Sequence, residues 1–246
     1  MARTLLRWRG VTLHAYPTML GLGSIVGIVT ATRLAPWLGL PPGRTYVALV
    51  LLLIPALVGS RLLFVLMRWP RFRGDLRSVW RTSDGGLSLY GGLVLSSLSS
   101  TLLLPTLGLP FAAFWDAAAV VILIGMAFTK VGCHVNGCCL GRTSTRWFAM
   151  DATDVHGQHA RRIPAQLLES ALAIVLLSLA ITTRAQRSVA GALFLTATVG
   201  YGVGRFALES IRDTSGRRRD VTVNRAISVA LSATAALALW FGVALR

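Results

Sequence analysis

Seven apolar runs set the limits on what this chain can fold into. They are Val11–Thr32, Tyr46–Met67, Leu87–Leu109, Trp115–Phe128, Pro164–Thr183, Val189–Leu208 and Ala226–Leu245. A helix needs roughly 20 apolar residues to cross a bilayer, and each run meets or nearly meets that length. The fourth is the weakest. It reaches span length if its helix runs on through Lys130 and Val131, with Asp116 at the interface. In hydrocarbon every backbone polar group must be bonded within the chain, so such runs become helices. The expected fold is all-α and integral to the membrane, with about seven transmembrane helices. Connections are short, so residues 1–246 read as a single multi-pass membrane domain. The first run is longer than a leader core and lacks a small-x-small cleavage site, so it is expected to stay as a span.

Charge needs a different reading in such a chain. Twenty-five basic residues against nine acidic give a net charge of +16, with 54% of residues hydrophobic and a mean hydropathy of +0.64. A soluble protein of that charge would point to nucleic acid. Here the basic residues flank spans, where anionic headgroups attract them at about 1 kcal/mol each. No nucleic-acid partner is expected. The richly basic segments (Arg3 to Arg9, Arg68 to Arg81, Arg142 to Arg162, Arg212 to Arg225) share one face, which by loop charge places the N-terminus inside. These segments also adjoin every polar motif below. Arginines kept to hold an anion distort such a count, and orientation stays open.

Ionisable residues inside spans cost roughly 2.5–3.5 kcal/mol near the centre and mark function by default. Arg61 follows Gly59-Ser60 within the second run. In GYGVGRFALESIRD, Tyr201, Arg205, Glu209 and Arg212 fall on one helix face. An Arg205–Glu209 salt bridge explains part of that stripe, and a buried anion site explains the extra arginine. RTSDGGLSLYGGL holds two glycine pairs, Gly85-Gly86 and Gly91-Gly92, around Tyr90. They read as irregular backbone against a cavity, where successive N–H groups cradle an anion, with Ser83 or Asp84 as a helix N-cap. In RRIPAQLLES, Pro164 opens a helix, with Gln166 and Glu169 on one face.

Together these blocks resemble the prolipoprotein diacylglyceryl transferase family, in order and over nearly the whole chain. LHAYPTMLGLG is similar to the family's first-helix motif, with Tyr16 on its tyrosine. LVGSRLLFVL resembles its Gly-Gly-Arg block, with Arg61 on the arginine. SDGGLSLYGGL resembles Asp-Gly-Gly-…-His-Gly-Gly-Leu. KVGCHVNGCCLGR lies on Arg-x-Gly-Asn-Phe-x-Asn-Gly-Glu-x-x-Gly-Arg. RIPAQLLE lies on His-Pro-Ser-Gln-Leu-Tyr-Glu, and GYGVGRFALESIRD on Gly-Tyr-Gly-x-x-Arg-x-x-x-Glu-x-x-Arg.

The resemblance implies a lipid-binding cavity among the helices and a bacterial cytoplasmic (inner) membrane enzyme. It implies phosphatidylglycerol as donor and a lipoprotein-precursor cysteine as acceptor. Arg61, Arg205 and Arg212 would hold phosphate by charge-assisted hydrogen bonds, with Lys130 assisting. Tyr90, Lys130, Arg205 and Cys133 are the candidate catalytic residues. Tyr16, Gly85, Gly86, Gly91, Gly92, Asn136, Gly141, Arg142, Glu169, Tyr201 and Glu209 would shape the substrate site or orient its groups. Against the family pattern, Tyr90 stands for a histidine, Lys130 for an arginine, Cys133 for an asparagine, Cys138 for a glutamate and Ile163 for a second histidine. Phosphate-holding parts are thus better kept than proton-moving ones. Two other functions fit: a non-catalytic phospholipid-binding membrane protein, and a thiol-dependent lipid transferase with a different acceptor.

Lys130 to Arg142 holds the only lysine and all three cysteines. Three readings compete. Gly132, Gly137 and Gly141 keep a turn while the cysteines are small fillers. Alternatively, Cys133, Cys138 or Cys139 is a reactive thiol whose pKa Lys130 and Arg142 depress. Or the three cysteines and His134 bind zinc, although C-H-x-x-x-C-C is not a standard ligand spacing. No other cofactor is expected. A Cys138–Cys139 disulfide would be strained.

Overall fold

The computed structural model describes residues 4–8, 11–74, 88–153, 157–187, 189–212 and 218–244. Among them are seven helices of 18 to 27 residues: α1 (Ala15–Leu34), α2 (Pro42–Met67), α4 (Leu89–Thr106), α5 (Phe111–Asn136), α6 (Ala165–Arg187), α7 (Ala192–Glu209) and α8 (Arg218–Ala244). One four-residue helix, α3 (Trp69–Phe72), follows α2. Five of the helices are long and apolar enough to cross a membrane: Ala15–Leu34, Pro42–Met67, Leu89–Thr106, Phe111–Asn136 and Ala165–Ala185. The fold is an all-α integral membrane fold, and each of the seven long helices carries most of one expected run.

The ends differ from expectation in instructive ways. The first run begins as strand: β1 (Thr4–Trp8) pairs antiparallel with β2 (Val11–His14), and α1 starts only at Ala15. A second hairpin, β3 (Met150–Thr153) with β4 (His159–Arg162), occupies the segment between α5 and α6. α5 does run on through Lys130, as its length requires, and it ends at Asn136. Thus Gly132 is helical and takes no part in a turn.

The chain forms two compact units. One is residues 32–114. Within it α2 and α4 pack antiparallel at crossing glycines. A Cβ on Gly91 would strike the Gly59 carbonyl, and one on Gly59 would strike that of Gly91. Glycine at both positions lets the backbones touch, the usual way helices gain contact where no hydrophobic effect drives them together. The N–H of Ser88 donates to the carbonyl of Ser60 at 3.0 Å. The irregular backbone expected at the second glycine pair is therefore not found: Gly91 and Gly92 are buried and helical. A glycine pair signals close backbone approach as readily as a loop. Ser83, Asp84, Gly85 and Gly86 lie outside the described residues.

The other unit contains residues 1–31 and 115–246. α1 lies against α5 through glycines of both. A Cβ on Gly23 would stand 3.0 Å from the Gly125 Cα, and one on Gly132 would stand 2.8 Å from the Met19 Cβ. α5 meets α6 where the Ser170 hydroxyl donates to the Ala127 carbonyl at 2.9 Å. α7 is laid between α6 and α8 by its glycine stripe, Gly200 and Gly204 on Leu176 and Leu172, Gly202 on Ser228 and Ser232.

Asp116 is fully buried and does not sit at an open interface. Its carboxylate accepts the N–H of Gly191 at 2.8 Å and of Phe194 at 2.9 Å. Gly191 is the N-cap of α7, and it brings no side chain of its own to the task. A helix start leaves four N–H groups without intrahelical partners, and a carboxylate there also meets the positive end of the dipole. Here a neighbouring helix supplies it, with Arg184 Nε 3.4 Å from the same carboxylate.

Candidate functional site

The end of α5, the start of α6 and the end of α7 come together in the second unit, and their polar residues meet at Glu169. Glu169 lies in the second turn of α6 and is 1% exposed. Its Oε2 pairs with the Lys130 ammonium, and its Oε1 with Arg212 Nη1. Arg205 Nη1 reaches the same Oε1 at 3.3 Å while its Nη2 lies 2.7 Å from Glu209 Oε2. Arg205 and Glu209 are themselves buried. Three cations against two carboxylates leave one positive charge in excess among these five groups. Burying such charges is tolerable only when each is paired.

The stripe read from the sequence explains part of this. Arg205–Glu209 is the expected i,i+4 pair, and Arg212 follows the end of α7 on the same side. What the stripe could not show is that Glu169, read as one of the residues orienting the site, is the hub. Tyr201, one turn before Arg205, lies within the electrostatic reach of Lys130. The Arg212 guanidinium is held above its ordinary pKa: burial opposes the charge, but Glu169 outweighs it.

The segment after α5 is stitched between α6 and α7. Gly141 N–H donates to the Ile163 carbonyl at 3.1 Å, Ile163 N–H to the Arg142 carbonyl at 3.0 Å, and Arg142 N–H to the Ile211 carbonyl at 2.9 Å. A side chain on Gly141 would collide with Ile163, so this glycine serves close backbone approach. Arg142 is exposed, and its Nε points to the Arg212 carbonyl at 3.4 Å. Gln166 Nε2 donates to the Cys138 carbonyl at 2.6 Å, which ties the start of α6 to the same segment.

α5 ends in a Schellman motif. Gly137 has φ 70°, its N–H donates to the His134 carbonyl, and Cys138 N–H donates to the Cys133 carbonyl, both at 3.1 Å. Asn136 hydrogen-bonds the Cys138 side chain. Cys133 is buried, Cys138 half-buried and Cys139 exposed, all as free thiols. Their sulphurs lie within 4.8 Å of one another, and His134 is not part of the group. Tyr16, in the first turn of α1, lies close enough to sense all three electrostatically. Cys139 is held well below the ordinary thiol pKa, first by hydrogen bonds from Cys133 and Cys138, then by the fields of Lys130 and Arg212. Arg212 thus takes the part expected of Arg142.

In the other unit Arg61 on α2 and Tyr90 on α4 both lie toward the same end of the helix pair from the Gly59–Gly91 crossing. The Arg61 guanidinium carbon lies 5.4 Å from the Phe64 ring centre and 5.6 Å from that of Phe72, within cation–π range.

The order of these parts along the chain has a counterpart among known proteins. Residues 3–241 match the family described as prolipoprotein diacylglyceryl transferase. This chain belongs to that family. The phosphatidylglycerol–prolipoprotein diacylglyceryl transferase of Geobacillus kaustophilus is 30% identical to it, over 97% of this chain and 91% of the relative. The protein of the same description from Halalkalibacterium halodurans is 28% identical over 97% of this chain and 85% of the relative. That from Bacillus cereus strain G9842 is 28% identical over 89% and 84%. Among the described residues of this unit, the cluster around Glu169 carries a net positive charge.

Proposed function

We propose that this chain transfers the diacylglyceryl group of phosphatidylglycerol to the cysteine of a lipoprotein precursor in the bacterial cytoplasmic membrane. The observation that carries this reading is the cationic cluster on Glu169. It keeps a positive excess in a buried setting and has Arg142 beside it. An anionic headgroup phosphate answers that excess by charge-assisted hydrogen bonds.

In the reaction the acceptor sulphur attacks the diacylglycerol carbon that bears the phosphate. The carbon–oxygen bond breaks, and glycerol phosphate leaves with the electron pair. The thiol proton goes to a base or to the departing phosphate. Arg205 and Arg212 are fixed donors for the charge that grows on the leaving oxygens, and fixed donors in a dry site need no reorganisation. Glu169 and Glu209 are positioning residues that hold those guanidiniums. Lys130, placed where the family pattern has arginine, contributes a point charge without the planar fork.

The test uses purified protein in phosphatidylglycerol vesicles with a lipobox peptide. Glycerol phosphate release and a peptide mass gain of one diacylglyceryl group are expected, and Arg205→Ala abolishes both. Phosphate release without peptide modification would assign another acceptor. Lipid binding that depends on Arg205 without turnover would make the chain a phospholipid-binding protein instead.

A further inference from the structure

We propose that Cys133, Cys138 and Cys139 form a binding site for one thiophilic d10 metal ion, zinc(II) or copper(I), with an open coordination position. The three-residue group stands outside the ion-pair cluster, and its geometry comes from how α5 ends. A Schellman motif places the residue at C″ over the residue at C3, usually as an apolar contact. Cys138 is at C″ and Cys133 at C3. The gap of four residues is therefore a spacing that brings two sulphurs together, although it matches no common zinc pattern.

Cys139 supplies the third sulphur at a cost. Its φ is 60°, a region that costs a non-glycine residue about 1–2 kcal/mol. The filler explanation covers Cys133 and Cys138, since C″ and C3 ordinarily share an apolar contact. It does not cover an exposed cysteine in left-handed backbone. Metal–sulphur bonds of about 2.3 Å place sulphurs of a tetrahedral site about 3.8 Å apart. The trio lies within 4.8 Å, so closing on an ion takes side-chain adjustments of less than about 1 Å. Soft thiolates select zinc or copper(I) over hard cations.

Loading the site forms three S–metal bonds, each sulphur releasing to water any proton it still carries, with no electron transfer. With zinc the group carries one negative charge, and Lys130 and Arg212 stand near to answer it. No fourth Cys, His, Asp or Glu among the described residues joins the trio. The fourth position of a tetrahedral ion is left to water or to an incoming sulphur. Resting on the transferase reading, that sulphur belongs to the acceptor cysteine, and a coordinated thiol is deprotonated outright. Coordination then supplies the acceptor thiolate without a separate general base.

The experiment uses the full chain in detergent, reduced, stripped with chelator, then offered zinc(II) or copper(I) separately. After removal of free metal, one ion per chain is expected, and affinity falls at least about tenfold in Cys138→Ser and in Cys139→Ser. Cys139 is exposed, so Cys139→Ser keeps the test alive if a buried substitution misfolds. The proposal is overturned if neither ion is retained, or if Cys138→Ser and Cys139→Ser bind as wild type. Cobalt(II) loading then counts sulphurs by its sulphur-to-metal absorption. A lipobox peptide adds one, and a peptide with serine for cysteine does not. An unchanged spectrum removes the acceptor role and leaves the metal site standing. Metal stoichiometry needs no turnover, so failure of the transferase reading is seen separately.

Discussion

Glu169 and Arg212 are 43 residues apart in sequence and meet as a partly buried ion pair. That pair closes the ring in which one carboxylate holds three cations from two other segments. Removing the carboxylate is the harshest change available. In Glu169→Gln, buried Arg205 and half-buried Lys130 and Arg212 lose the carboxylate that they share. Breaking a buried pair in this way costs about 3–5 kcal/mol. A large fall in melting temperature and loss of transfer are expected. Thermal unfolding in detergent, followed by helix signal, checks the first, and glycerol phosphate release the second.

Asp116 acts far from that cluster. It precedes Lys130 by fourteen helical residues, about 21 Å along α5. Asp116→Asn keeps one acceptor oxygen for two N–H groups and loses the charge that faces the start of α7. A loss of about 1–2 kcal/mol is expected. The specific activity of the folded fraction should be unchanged. A lowered melting temperature at constant turnover per folded molecule is the expected pair of readings.

The α1–α5 contact offers two glycines with opposite expectations. A Cβ on Gly23 would stand 2.8 Å from the Phe128 Cβ and 3.0 Å from the Gly125 Cα, whereas one on Gly125 meets nothing within 4 Å. Gly23→Ala is expected to destabilise by about 1–3 kcal/mol through overpacking. Gly125→Ala is expected to be neutral or to stabilise by up to about 1 kcal/mol through helix propensity. Comparing the two melting temperatures decides whether the backbones touch on the Gly23 side.

In metal-free protein, Cys139 should react with iodoacetamide at pH values where an ordinary thiol, near 8.5, is protonated. Its folded pKa is depressed, by the neighbouring thiols first and by Lys130 and Arg212 next. The thiolate is thus present above the lowered value, and reactivity is lost only as pH falls through it. The associated stability has the same sign, present above the unfolded pKa and lost as pH falls through the folded one. Lys130→Met should move the alkylation profile of Cys139 to higher pH. An unchanged profile would remove Lys130 from the explanation.

How much of this was legible in the sequence depended on range. The seven apolar runs became seven helices because membrane length and backbone satisfaction are local demands. The Arg205–Glu209 pair was legible for the same reason, since helix period alone brings i and i+4 together. Glu169 was marked as a site residue only through the family resemblance, because its place as hub exists only once α5, α6 and α7 are side by side. Asp116 stood out as a charge in an apolar run, yet its partners are main-chain N–H groups that no letter displays. Gly91 and Gly92 misled because a glycine pair signals both loops and tight helix crossings. The cysteine spacing looked unusual until Gly137 was seen to end α5 as a Schellman motif, a signal the sequence did carry.

The bond between Asp116 and Gly191 also orders events in time. Its two ends are 75 residues apart, and chains are made from the N-terminus forward at about 5–20 residues per second. α5 is therefore synthesised several seconds before the N–H groups that Asp116 serves. In that interval a bare carboxylate in an apolar segment favours a position near the water boundary. The burial of this carboxylate is thus completed only once the start of α7 has been made.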